Sequence, residues 1–485
     1  MKLRKGFDLK NNFKKLLPAI LSVVVFTGIF VYSSIKSRHT IVKNVQLAPE
    51  NSLYKDKYGD GSAYGQSDIT KNGIFTNTRV NKISGASEPC LAVNPKDNSR
   101  LAIASNDFSL DEDQARVFIS GDAGGSWNEK TVALSGKIKK SSLSDPQIEY
   151  DLNGNIIFCG VQRSIKSPNA EAIFITVSSD GGYTWKTDMN FVDYNNIKTI
   201  LIDKPKISTD RSGKFPQMIY CCWTEIKNFQ KFIMFSKSGD GGISFSHPVK
   251  VESGDAECGA LVSDTNGNLY VVYLKEENNI CFKKSTDMGN NWISFTKSVS
   301  FTPPGIVREG QLLIKQSGKD GIRINSDPAV KLSGDELQIS FCASNGKDAS
   351  DIFFFKLNLR DSQLSAPVRV NTDNTGNDQF LPSIAVHDGK VFITYQDSRN
   401  DRNNIITETF VSVSDDGGKT FIDQCISTAS YNPVEVSVSK YFGDYNSSAV
   451  VNGKLLSVWT DGRNNNFDLY AGEFDLKAFT DKYHK

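Results

Sequence analysis

The stretch Ser178-Ser179-Asp180-Gly181-Gly182-Tyr183-Thr184-Trp185 decides the reading of this chain, because it is written five times. It recurs as Ser120-Gly121-Asp122-Ala123-Gly124-Gly125-Ser126-Trp127 and as Ser238-Gly239-Asp240-Gly241-Gly242-Ile243-Ser244-Phe245. Two looser copies are Ser285-Thr286-Asp287-Met288-Gly289-Asn290-Asn291-Trp292 and Ser414-Asp415-Asp416-Gly417-Gly418-Lys419-Thr420-Phe421. The Asp carboxylate suits the N–H groups of its own turn, and Gly supplies the positive φ of a tight hairpin. The closing Trp or Phe offers a large apolar face to a core. Each copy follows an apolar run such as Ala172–Val177, so each reads as a β-hairpin turn.

A second repeat is interleaved with the first. It starts at Glu88, Asp145, Asp203, Glu257, Asp327, Leu381 and Asp444, usually with Pro close behind. A period of roughly 50–60 residues with about four short strands in each unit is the pattern of β-propeller blades. The fold expected is therefore all-β, a β-propeller of seven four-stranded antiparallel blades over residues 74–476. The fifth unit has the hairpin Asn358-Leu359-Arg360-Asp361-Ser362-Gln363 in place of the repeated turn. Residues 74–82, whose Ile74, Thr76, Thr78 and Val80 alternate with the other face, are expected to close the ring as the outer strand of the last blade.

The repeated S-x-D-x-G-x-[ST]-[WF] resembles the Asp box, or BNR repeat, of the sialidase superfamily. That resemblance implies a propeller whose boxes, with Asp122, Asp180, Asp240, Asp287 and Asp416, lie on hairpins away from the active-site face. It also raises the six-bladed sialidase fold as an alternative. It implies a carbohydrate or glycoconjugate partner and an activity of exo-α-sialidase type; separately, no cofactor and no metal are expected. A non-catalytic glycan- or protein-binding propeller is the alternative. In that family three Arg clamp the substrate carboxylate, an Asp acts as acid/base, and a Tyr paired with Glu is the nucleophile. Aligning on Pro89 puts Ser87 where the family has its first Arg. The remaining candidates are Arg163, Arg399 and Arg463 for the clamp, Asp107 for the acid, Tyr441 or Tyr445 for the nucleophile, and Glu225 for its partner.

In a propeller, the links between blades and those between second and third strands open on one face. They would bring Asp145, Asp203, Glu257, Asp397 and Asp461 there with the three Arg. Asp397-Ser398-Arg399-Asn400 and Asp461-Gly462-Arg463-Asn464 read equally well as ion pairs repeated by duplication, and Tyr441 as a core aromatic.

Lys2, Arg4, Lys5, Lys10, Lys14 and Lys15 precede the apolar run Leu16–Tyr32, which marks 1–36 as a membrane anchor or a signal peptide cleaved after Ser33. The chain after it would be exported, with 37–73 a tether and 477–485 a short tail. A net charge of +1 without a basic stripe argues against nucleic acid, and four scattered His argue against a His-based zinc site. The eight Cys give no disulfide framework by spacing and read as buried free thiols.

Overall fold

The computed structural model describes residues 67–69 and 75–477, apart from 135–137, 166–170, 187–189, 194–199, 309–310 and 315–320. Residues 1–36, read as a membrane anchor or signal peptide, and most of the stretches read as tether and tail lie outside these residues. No described helix is long and apolar enough to cross a membrane.

The chain is all-β, and its sheets follow the repeat. The first unit is Ala86–Val93, Leu101–Asp107, Gln114–Ser120 and Asn128–Ala133, an antiparallel meander. Five more four-stranded meanders begin at the inner strands Ser141–Tyr150, Ile200–Thr209, Ala256–Ser263, Ala329–Ser333 and Gln379–His387. In the one starting at Ala256 the outer strand is split into Ile293–Ser294 and Val299–Ser300, both paired to Asn279–Ser285. The seventh unit takes Ser447–Val451, Lys454–Asp461 and Asp468–Asp475 from the end of the chain and Phe75–Arg79 from its beginning. Asn77 faces Gly472 and Thr78 faces Ala471 in that pairing. Each inner strand touches the next, and Ser447–Val451 touches Ala86–Val93, so the inner strands form a closed cycle.

Among the described residues, seven apolar clusters hold the cycle together, and each spans a junction between neighbours. Phe118, Leu101, Leu456 and Leu469 join the first and last units, while Tyr270, Phe282, Leu337 and Phe355 join the fourth and fifth. Burying one such side chain contributes about 1.5–3 kcal/mol.

The repeated turns satisfy themselves. Asp180 Oδ1 accepts from the backbone N–H groups of Tyr183 and Thr184 at 3.0 and 2.9 Å, and Ser178 Oγ accepts from Gly182 N at 2.9 Å. In the fourth unit Asn291 replaces Ser/Thr and donates its Nδ2 to Asp287 at 2.7 Å. The fifth unit's hairpin uses Asn358 Oδ1 as acceptor for Arg360 N. The bond from the Thr184 hydroxyl is the first cause that brings Asp180 down to about 2. At Asp240 burial alone would raise the carboxyl, but bonds from Ser244 and its neighbours bring it to about 2. Both values lie below the ~3.9 of an unfolded Asp. The turns therefore contribute stability that is fully present above pH ~4 and lost as the pH falls towards about 2. Asp240→Asn is expected to lower the Tm at neutral pH and to flatten its fall between pH 5 and 2. An unchanged acid limb in the variant would contradict the assignment.

Three features depart from the sequence reading. Ser67–Ile69, inside the stretch read as tether, pairs outside Phe75–Arg79 as a fifth strand of the last sheet. A three-residue strand is too short to carry a periodic signal. Asn77 is fully buried rather than solvent-facing, because the linker after the sixth unit covers that face: Asn77 donates to Ile426 O and accepts from Thr428 N, both at 2.8 Å. The long interval before Asp327 holds an added three-stranded sheet, Ile306–Arg308, Gln311–Ile314 and Ile322–Arg323.

Candidate functional site

Four inner strands bulge at the same step. The register shifts at Glu88, Asp145, Lys204 and Leu381, whose φ values are 54°, 53°, 49° and 52°, and each is followed by Pro. A non-Gly residue held in the left-handed region is costly and re-aims its side chain out of the ladder. Counting back from Pro205, the third unit's equivalent of Glu88 is Lys204, so Asp203 falls one place away and is buried.

These bulges gather a charged cluster at the cycle's inner edge. Lys204 Nζ donates to Glu257 at 2.9 Å and Asp327 at 2.6 Å, and Lys231 holds the other Glu257 oxygen. Asp145 sits 3.6 Å from Arg163 and accepts from Lys204 N at 3.4 Å. Arg323, at the end of the added sheet, contacts both oxygens of Asp444 at 2.7 Å and lies over the Tyr441 ring. Asp444 N donates to Glu88 at 2.9 Å. Asn106 Nδ2 bridges Glu88 and Tyr441, and Ser87 lies 3.3 Å from the Tyr441 hydroxyl. Tyr445 donates to Pro146 O at 3.0 Å with Lys206 over its ring. Six of the seven units contribute, and the sixth supplies Leu381 at its bulge.

The electrostatics follow from burial and crowding. Burial, then Asp444 and Asp145, push Glu88 well above the carboxylate range. Tyr441 is pushed up by burial and then by Glu88. Burial also raises Asp327 despite Lys204 beside it. Glu257 goes the other way: burial would raise it, but Lys204 and Lys231 bring it to about 2. The Lys204 and Arg323 cations and the Asp145 and Asp444 carboxylates suit a ligand carrying hydroxyls and charge.

The other candidates stand elsewhere. Arg399 pairs with Asp397 and Asp423 at 2.7 Å. Arg463 pairs with Asp461 at 2.8 Å and reaches Thr428 and Asn77. Arg163 holds Glu171 at 2.9 Å and the Ile202 carbonyl at 2.8 Å. The three Arg thus engage different partners rather than framing one carboxylate. Asp107 is buried in an ion pair with Arg116 at 2.7 Å, because Arg116 on the adjacent strand reaches across to it. Glu225 is buried opposite Ile202, and the carboxylate beside Tyr441 is Glu88. Lys204, Lys206 and Arg323 were missed by the sequence reading. The Lys-Pro dipeptide carried the signal for Lys204; nothing local marks Arg323.

No family model and no curated protein matches this chain. Solved structures do match, at low identity and with TM-scores below 0.5. A protein of unknown function from Dyadobacter fermentans is 11% identical, covering 70% of this chain and 96% of its own, with a TM-score of 0.44. Trypanosoma rangeli sialidase is 13% identical over 88% of this chain and 60% of its own length, with a TM-score of 0.44. A polysaccharide lyase of family PL25, an ulvan lyase solved bound to -[GlcA(1-4)Rha3S]-, is 13% identical over 77% and 91%, with a TM-score of 0.46.

Proposed function

We propose that this chain is an exported, seven-bladed propeller of sialidase-like type, tethered outside the membrane, that binds a glycan at the inner-edge cluster. The observation that carries this reading is the convergence of Glu88, Asp145, Lys204, Glu257, Asp327, Arg323 and Asp444 with two tyrosines from six units. Charged side chains for hydroxyls and a partly exposed Tyr445 for a sugar face match the needs of a polar, ring-shaped ligand. Seven units of four strands each, with the closed cycle of their inner strands, support the blade number.

A second reading, hydrolysis, is favoured by the contact between Tyr441 and Glu88, an arrangement of phenol and carboxyl like that of the sialidase nucleophile pair. The ion pairs that occupy Arg163, Arg399 and Arg463 weigh against a clamp for a sialic acid carboxylate, so binding ranks first.

One experiment on intact cells tests export and ligand together. Protease added outside should remove the domain, and labelled oligosaccharides should bind before treatment and not after. Tyr445→Ala and Lys206→Met are expected to weaken binding at least ~10-fold, about 1.4 kcal/mol, while both variants stay folded by circular dichroism; the Tm should fall in Tyr445→Ala, which also loses the bond to Pro146. Full binding by both variants would place the ligand elsewhere. A fluorogenic glycoside panel that includes a sialoside decides the second reading, with Tyr441→Phe expected to abolish any turnover.

A further inference from the structure

We infer that Cys222 and Cys258 form a disulfide that cross-links the third and fourth units. Cys222 lies on Ile219–Lys227, the second strand of its unit, and Cys258 on Ala256–Ser263, the inner strand of the next. Both are free thiols in this structure, as expected from the sequence, yet their sulfurs lie 2.7 Å apart, closer than two non-bonded sulfurs rest against each other. The approach is fixed by the backbone as well: Cys258 N donates to the Thr224 hydroxyl at 2.9 Å, two residues along from Cys222. Both side chains are fully buried, among Met218, Tyr220, Phe235 and Leu261. Burial, then Cys258 itself, push the Cys222 thiol well up, against the opposing pull of Lys206. A disulfide is apolar and removes both S–H groups from the junction.

Cys221, on the opposite face of the same strand, belongs to the cluster with Cys159 at the junction between the second and third units. Strand alternation therefore separates two adjacent thiols into two junctions, and the pairing is specific to Cys222.

The bond forms by exchange with a disulfide oxidant, such as oxidised glutathione or a dithiol oxidase of an oxidising compartment. One Cys thiolate attacks the oxidant and releases the first thiol. The second Cys attacks the mixed disulfide and releases the other. Two thiols lose two protons and two electrons, and the oxidant's disulfide is reduced. Because the folded site disfavours thiolate and excludes the oxidant, exchange precedes closure of the junction.

The test uses the full chain, unfolded with reductant and refolded in a buffer of reduced and oxidised glutathione. The refolded protein is then denatured, alkylated and digested for mass spectrometry. The expected product is a peptide pair linked through Cys222 and Cys258, two hydrogens lighter than the free thiols and separated by reduction, with Cys221 alkylated. The cross-linked form should melt roughly 3–8 °C above the reduced form. Folded, oxidised protein should resist dithiothreitol until it unfolds. Alkylation of both cysteines under oxidising conditions, or linkage of either to another cysteine, overturns the inference. Cys258→Ala supplies the independent check: Cys222 should become alkylated, and an unchanged cross-link mass would refute the pairing.

Discussion

Gly418→Ala is expected to destabilise the protein by about 2–5 kcal/mol, whereas Gly417→Ala, one residue earlier in the same turn, should cost only about 1–2 kcal/mol. Both glycines have positive φ, 74° at Gly417 and 89° at Gly418, so both variants incur the left-handed strain of a Cβ. They differ in what the Cβ would meet. At Gly417 the nearest group is the flexible Lys356 ammonium, 3.7 Å away. At Gly418 it would overlap the ring of Phe354, which belongs to the preceding unit and packs edge-on against Phe421. The same relation holds at Gly289 against Phe235, at Gly182 against Ile119 and at Gly124 against Leu456, each time across a junction. The conserved spacing of the turn's glycine within this chain thus reflects docking of one unit on another. Denaturant titration of both variants measures the difference, and Phe354→Ala should relieve part of the Gly418→Ala cost in a double-mutant cycle. Equal losses at the two positions would leave only backbone strain and would refute the docking role.

A chain that begins at Ile83 is expected to fail to fold. Without Phe75–Arg79 the strand Asp468–Asp475 becomes an open edge, and the last unit keeps three strands. The loss reaches further than the ladder. Arg79 and Asn81 both donate to the fully buried Asp468, at 2.7 and 2.9 Å. Asn81 accepts from Leu469 N at 2.6 Å, and Val80 belongs to the apolar cluster between the last and first units. Asn77 ties the strand to Ile426, Thr428 and Arg463. Leaving these buried groups unpaired costs on the order of 5–10 kcal/mol, comparable to the ~5–15 kcal/mol that holds a whole domain folded. The shortened chain should be unfolded by circular dichroism, and a peptide of residues 67–82 added during refolding should restore the native signal. A melting temperature within a few degrees of the full chain's would show that the ring does not need its N-terminal strand. Asn77→Ala is the milder form of the same test, at about 2–4 kcal/mol.

What the sequence determined by itself is whatever is local and repeated. The five turns with Asp122, Asp180, Asp240, Asp287 and Asp416 are closed by bonds within a few residues, so their pattern is legible wherever it occurs. The strand periods and the spacing of the acidic-Pro steps were legible for the same reason, and they led to an all-β chain of four-stranded units. The position of residues 74–82, ahead of the first unit and without a partner there, showed where the last unit finds its fourth strand, which is Phe75–Arg79, although the alternation read there does not hold, since Asn77 is buried.

Only the tertiary structure decided which side chains meet. Glu88 and Tyr441 belong to opposite ends of the chain and meet because the cycle closes. Lys204 rather than Asp203 takes the place of Glu88, since a one-residue bulge, invisible to an alignment on acidic residues, sets which side chain leaves the ladder. Arg323 reaches Asp444 from an added sheet that no repeat announces. Arg163, Arg399 and Arg463, which spacing alone would place on one face, each settle on a nearer carboxylate. A buried guanidinium takes the partner that desolvates with it, and that choice depends on neighbours distant in the chain.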